Sequence, residues 1–218
     1  MLFLGDYAYS SWSLRAWLLF RRFGIDTDIT LVNFSEAAVA EQMAAISPAR
    51  TVPTYVDADG TVIWDSLAIA EELADRFPAA GIWPDAPAAR ATARALAAEM
   101  HSGFTALRGF CPMNLRLAYA DCAPPPEVLA DVARIEAIWT HARARFGAAG
   151  PWLCGRYSAA DAFFAPVAAR IAGYSLPVGP EAAAYVAAHL ADPAFRRFRA
   201  MGPVSYTHLR AHETVLDL

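Results

Sequence analysis

Apolar and polar positions follow two different rhythms along the chain. Near the N-terminus, Leu2-Phe3-Leu4 reads as a short buried strand, and the segment from Ser11 to Phe23 reads as a helix. In that helix Leu14, Trp17 and Leu18 take the i, i+3, i+4 spacing of one buried face. Arg21 and Arg22 fall in its last turn, where positive charge complements the helix dipole, and Gly24 supplies a left-handed stop. Ile25, Thr27, Ile29 and Leu31 then alternate with Asp26, Asp28 and Thr30, predicting a strand over 25–32. A polar-capped helix is expected from Ser35 to Ala45. Strands from Pro53 to Val56 and from Thr61 to Trp64 flank the turn Asp57-Ala58-Asp59-Gly60. A helix from Ser66 to Phe77 follows, with Ile69, Leu73 and Phe77 in one row and Pro78 closing it.

The resulting order, βαβαββα, predicts one mixed sheet: a right-handed parallel crossover followed by an antiparallel hairpin. Pro78, Gly81, Pro84 and Pro87 then mark a linker, and no strand pattern appears beyond it. Alanine-rich helices are predicted over 87–109, 126–147, 158–173, 180–190 and 192–201, with Pro124-Pro125-Pro126 as a breaker. The expected class is therefore α/β plus all-α, with a first domain over 1–79, a linker over 80–87 and a helical domain over 88–202. Residues 203–218 lose the alanine bias and read as a non-native tail, similar to a translated sequencing-adaptor read-through. His208 and His212 in it have helical metal-pair spacing but no third ligand, so no metal is expected.

Composition narrows the function. With 56% hydrophobic and only 18% charged residues, a disordered chain is excluded. A net charge of −4 argues against a nucleic-acid partner. No apolar run is long enough for a membrane helix, and Asp6 interrupts the apolar start, so no membrane association and no secretory signal are expected. Cys111, Cys122 and Cys154 form no CxxC pair and read as reduced thiols, which fits a cytoplasmic protein.

Candidate chemistry gathers at element ends. Ser10 and Ser11 stand where the first strand hands over to the first helix, whose unpaired N–H groups favour an anion. A serine hydroxyl there either donates to a sulfur anion or simply caps the helix. Val52-Pro53 opens a strand; a cis bond would leave the Val52 backbone for an extended peptide ligand, and an ordinary trans proline fits equally well. Asp65-Ser66 opens another helix and suits an amino group and a carboxylate, or capping alone. Ser158-Ala159-Ala160-Asp161 is a capping box for a buried helix.

Taken in order and spacing, Ser10-Ser11-Trp12-Ser13-Leu14-Arg15, Pro48-Ala49-Arg50-Thr51-Val52-Pro53, Asp65-Ser66-Leu67-Ala68-Ile69 and Gly155-Arg156-Tyr157-Ser158-Ala159-Ala160-Asp161 resemble the glutathione S-transferase family. The resemblance runs over about residues 1–200. It implies a thioredoxin-like N-terminal domain, an all-helical C-terminal domain and a homodimer, to which Ala88 to Ala98 offers a close-packing face. It further implies glutathione as co-substrate, with Ser10 donating to its sulfur, Ser11 as neighbour or substitute, and Val52 pairing with the cysteinyl backbone beside a cis Pro53. Asp65 and Ser66 would hold the γ-glutamyl end, and Arg50 the glycyl carboxylate. The electrophile is expected between the domains against Phe104, Leu107, Phe110, Cys111 and Met113, oriented by Arg108 and Asn114; the same apolar residues equally suit bundle core. Two alternatives accompany the transferase. One is a glutathione-dependent maleylacetoacetate cis–trans isomerase, whose Ser-Ser-Cys motif has Trp12 here in the cysteine position. The other is a non-enzymatic binding module, which commonly loses the serine or the Asp/Ser pair retained here. Cysteine-type disulfide chemistry lacks its cysteine near Ser10.

Overall fold

The computed structural model describes residues 1–147 and 150–205; the tail expected over 203–218 lies outside the described residues from position 206 onward, His208 and His212 included. Four three-residue strands, β1 (Leu2–Leu4), β2 (Ile29–Leu31), β3 (Thr54–Val56) and β4 (Val62–Trp64), form one mixed sheet in the order β2-β1-β3-β4. β1 runs parallel to β2 with Leu2 opposite Ile29, and antiparallel to β3 with Leu2 opposite Tyr55. The β3–β4 hairpin pairs Thr54 with Trp64 around the expected turn. Helices α1 (Ser11–Arg22) and α3 (Ser66–Arg76) pack together beside this sheet. The parallel crossover and the hairpin are those that the hydrophobic pattern predicts.

α1 owes its burial to two partners. Leu14, Trp17, Leu18 and Phe20 are all buried, because the helix lies against the sheet's helical layer on one side and against α7 (Ala159–Gly173) on the other. Around α7 the second half assembles α4 (Pro87–Ser102), α6 (Pro126–Phe146), α8 (Pro180–Ala191) and α9 (Pro193–Ser205). The capping box forms: Ser158 N donates to Asp161 Oδ2 at 2.8 Å and Ser158 Oγ to the same atom at 3.1 Å. The other carboxylate oxygen accepts Leu153 N at 3.0 Å and the Tyr185 hydroxyl at 2.9 Å, so one buried side chain ties α7 to α8 and to the loop before it.

Three elements differ from the sequence expectation. β2 covers only 29–31 of the expected 25–32, since it is an edge strand paired on one side, and Leu31 is 40% exposed. The helix expected from Ser35 to Ala45 is a four-residue α2 (Val39–Gln42) and a 3₁₀ turn, Ala44–Ile46. Asn33 and Gln42 exchange hydrogen bonds of 3.1 and 2.6 Å, and Ser35 Oγ turns back to Asn33 Oδ1, so local side-chain bonds replace the first helical turns. The helix expected over 87–109 breaks at Gly103–Phe104: Gly103 N–H makes the last bond of α4, Phe104 takes φ 56°, and α5 (Thr105–Phe110) starts in a new direction. Among the described residues no helix is long and apolar enough to cross a membrane.

Candidate functional site

The β1–α1 connection is fixed by Asp6, a residue the sequence reading used only as an interruption. Its Oδ1 accepts Ala8 N at 2.6 Å and Tyr9 N at 3.1 Å, and its carbonyl accepts Ser10 N at 2.9 Å. This delivers Ser10 to the N-cap of α1, where Oγ accepts Ser13 N at 3.2 Å. Ser10 Oγ also shares a 2.8 Å hydrogen bond with the fully buried Ser13 Oγ, which accepts Gly5 N at 2.8 Å. Among the described residues nothing pairs with the N–H groups of Ser11 and Trp12. Two free donors thus stand at the positive end of a twelve-residue helix.

Opposite them lies the start of β3. The Val52–Pro53 peptide is cis, as is Ser47–Pro48, which was not anticipated. Neither the N–H nor the carbonyl of Val52 has a partner among the described residues. At α3, Asp65 is the N-cap with φ 88°; its Oδ1 accepts Leu67 N at 2.7 Å and Ala68 N at 3.3 Å, while Oδ2 lies 3.2 Å from His101 Nε2 of α4. Ser66 is buried, and its hydroxyl has no hydrogen-bond partner among the described residues.

A cavity of about 420 Å³ opens between these elements, and it brings Ser10, Ser11, Arg50 and Val52 together with Arg108 and Met113. Pro53, Asp65 and Ser66 lie off its lining, with Asp65 connected to it through His101, whose ring meets Trp12 at 5.1 Å. Phe104 and Leu107 sit in the hydrophobic core instead. Phe110 is 45% exposed and does not reach the cavity. Asn114 braces its own loop, accepting Arg116 N at 3.0 Å.

Comparison with known proteins fits this arrangement. Residues 9–76 match the family described as glutathione S-transferase, N-terminal domain. That match lies within the first domain, over the stretch that carries Ser10, Val52 and Asp65. Over 105 residues the chain is 33% identical to the probable maleylacetoacetate isomerase of Caenorhabditis elegans, a stretch spanning 48% of each protein. A glutathione transferase homolog from Burkholderia, solved with bound glutathione, has the same fold with a TM-score of 0.69 at 22% identity, over 94% of this chain and 98% of that one. Glutathione transferase Omega 2S from Trametes versicolor, in complex with 2,4-dihydroxybenzophenone, follows at 0.68 and 20%, over 93% and 94%. A further glutathione-bound transferase, from a sphingomonad, aligns with a TM-score of 0.62 at 18% identity, over 93% and 98%.

Three groups beside the cavity escaped the sequence reading. Arg15 of α1 is fully buried, with its guanidinium over the rings of Trp12 (4.5 Å) and Phe163 (5.1 Å). Arg170 of α7 is buried and lines the cavity. His101 is held below the ordinary histidine range, chiefly by burial, against the opposing pull of Asp65. The helical spacing Trp12, Arg15, Leu19 carried a signal for the first: a cation on the stripe that faces the core. Among the described residues no cluster of three or more metal-ligating side chains occurs.

Proposed function

We propose that this protein is a glutathione transferase that binds glutathione between the N-terminus of α1 and the start of β3 and stabilises its thiolate for attack on a small electrophile. The observation that carries the reading is one cavity lined by Ser10, Ser11, Trp12 and Val52, with the Ser11 and Trp12 amides and the Val52 main chain unpaired among the described residues. An extended peptide pairs with such a main chain as with a sheet edge. The exposed Arg50 meets the glycyl carboxylate, and Asp65 with Ser66 takes the γ-glutamyl end.

Ser10 acts by donation. Its oxygen already accepts Ser13 N–H, and the bond it shares with Ser13 Oγ runs in either direction because hydroxyl rotors turn to suit their partners. When Ser13 donates, Ser10 accepts two hydrogen bonds and its own proton is released toward the cavity, polarised by both. A thiol near pKa 8.5 is only a few per cent ionised at neutral pH, and lowering it by about two units takes about 2.7 kcal/mol. One charge-assisted hydrogen bond plus the helix terminus supplies that order of energy. Serine is not required as a base.

The test measures the thiolate absorbance of the bound tripeptide against pH, with conjugation kinetics, in wild type, Ser10→Ala and Ser11→Ala. Ser10→Ala should raise the bound thiol pKa and lower kcat at least ~10-fold, with glutathione affinity nearly intact. Unchanged turnover and an unchanged titration in Ser10→Ala remove Ser10 from the role. A loss confined to Ser11→Ala transfers it to the neighbour.

The similarity to the C. elegans protein supports a second reading, glutathione-dependent cis–trans isomerisation of maleylacetoacetate, with Trp12 at the position of that motif's cysteine. Direct assay of that isomerisation separates the two, and retention on glutathione without either activity would favour a binding module. A cytoplasmic homodimer completes the proposal. The free cysteines suit a reducing compartment, and α4 turns Ala88, Ala91, Ala95 and Ala98 outward while Ala89, Ala93 and Ala97 are buried.

A further inference from the structure

Three guanidinium groups converge behind and beside the cavity, each from a different helix: Arg15 from α1, Arg108 from α5 and Arg170 from α7. Arg15 is the extreme case, since Nε, Nη1 and Nη2 are all buried without a hydrogen-bond partner among the described residues. Arg170 is nearly as buried; its Nε donates to Cys111 O at 2.8 Å and Nη1 to Pro166 O at 3.3 Å, both neutral acceptors. Arg108 Nη1 reaches His101 O at 3.2 Å and Gly103 O at 3.3 Å, again carbonyls, and its guanidinium lies 4.9 Å from the Trp12 ring centre. Among the described residues none of the three forms an ion pair with a carboxylate. The acid that acts on Arg15 is Asp65, already engaged by two amides and His101.

Such a cluster is costly. Burial disfavours each charge, and like charges in a low-dielectric setting repel strongly. Burial first, and then the charges of Arg108 and Arg170, pull Arg15 down to about 9, so it is still protonated at neutral pH. Burial and Arg108 likewise lower Arg170, to about 10. Carbonyl contacts and aromatic faces offset part of this, and no countercharge completes it. Both Arg108 and Arg170 line the same cavity as Ser10 and Val52.

We infer that the electrophile of this enzyme carries a carboxylate, which seats against Arg108 and Arg170 with Arg15 behind them as fixed positive charge. The inference rests on the glutathione transferase reading and adds nothing to the isomerisation, whose substrate is itself a carboxylate. Arg108 and Arg170 belong to the helical half, whereas the features assigned to glutathione come from α1, α3 and the chain before β3. The Arg108 and Arg170 pair therefore faces the second substrate, and glutathione's own carboxylate is the rival source of the anion.

The experiment uses the intact protein and a matched pair of probes, an enone with a para-carboxylate on its aryl ring and the corresponding methyl ester. In wild type the acid should exceed the ester at least ~10-fold in kcat/KM, a factor set by one charge-assisted contact. In Arg108→Met, and separately in Arg170→Met, that ratio should fall to about one, with the glutathione Kd changed less than about threefold. An acid-to-ester ratio of one in wild type overturns the inference while leaving the transferase reading intact. A raised glutathione Kd in the variants with an unchanged ratio also overturns it, by giving the cluster to glutathione. If neither probe turns over, benzoate binding followed by tryptophan fluorescence decides: saturable in wild type and lost in both variants supports the anion site, and no binding in wild type rejects it. Absent glutathione binding, by contrast, sinks the underlying function.

Discussion

His189 on α8 offers a quantitative test of how this fold holds its helical half together. Its ring is buried against Trp152 (5.1 Å) and Tyr185 (4.6 Å), and Nε2 has no hydrogen-bond partner among the described residues. Burial, and secondarily the charge of Arg22, lowers its pKa from 6.5 to about 3. The unfolded chain takes up a proton near pH 6.5, whereas the folded chain refuses it down to about 3. Between those values the unfolded state binds more protons, so this group's stabilisation is complete above pH 6.5 and is lost as pH falls. At about pH 5 the loss amounts to about 2 kcal/mol, a sizeable share of a stability of about 5–15 kcal/mol. Urea unfolding of wild type and His189→Gln over a pH series isolates the effect, because the substitution removes only this titration. The difference between the two proteins should shrink by about 2 kcal/mol from about pH 7.5 to about pH 5. Parallel pH profiles would refute the reasoning and mean that the folded ring accepts its proton as readily as the unfolded one.

Two further substitutions probe other buried groups. Asp161→Ala strands the amides of Ser158 and Leu153 and the Tyr185 hydroxyl, and should cost about 3–5 kcal/mol, read as a lower urea midpoint with unchanged slope. Ser66→Ala should weaken glutathione binding by about 1–3 kcal/mol in calorimetry while leaving the melting temperature level or raised, because the hydroxyl has no partner among the described residues. Unchanged affinity would take Ser66 out of the binding site.

The sheet was legible because its signals are local. The Asp57–Gly60 turn and the apolar runs beside it specify a hairpin whatever else the chain does. The segment around Asn33 was not, because composition does not reveal that Asn33 and Gln42 will bond each other rather than let a helix start. The break at Gly103–Phe104 was hidden for a different reason: a non-glycine residue takes the left-handed conformation, which no propensity scale favours. At the site, the residues that join strand to helix, Ser10, Ser11, Arg50 and Val52, do share a cavity. Phe104 and Leu107 show the converse, since apolar periodicity identifies a face turned inward without saying whether it meets a core or a cleft. Arg15 showed only as a cation on a core-facing stripe and Arg170 not at all, as arginines are expected at the surface and three-dimensional packing reveals one inside.

The indole of Trp12 receives two cations, Arg15 at 4.5 Å and Arg108 at 4.9 Å, and touches His101 edge-on. Its electron-rich face is a sink that lets two repelling groups share one small volume. A thiol at position 12, the side chain found there in the isomerase motif, has no such face. Exchanging the ring for sulfur in this chain would therefore leave Arg15 and Arg108 with less to offset their repulsion. Position 12 thus records how much positive charge its surroundings are built to hold.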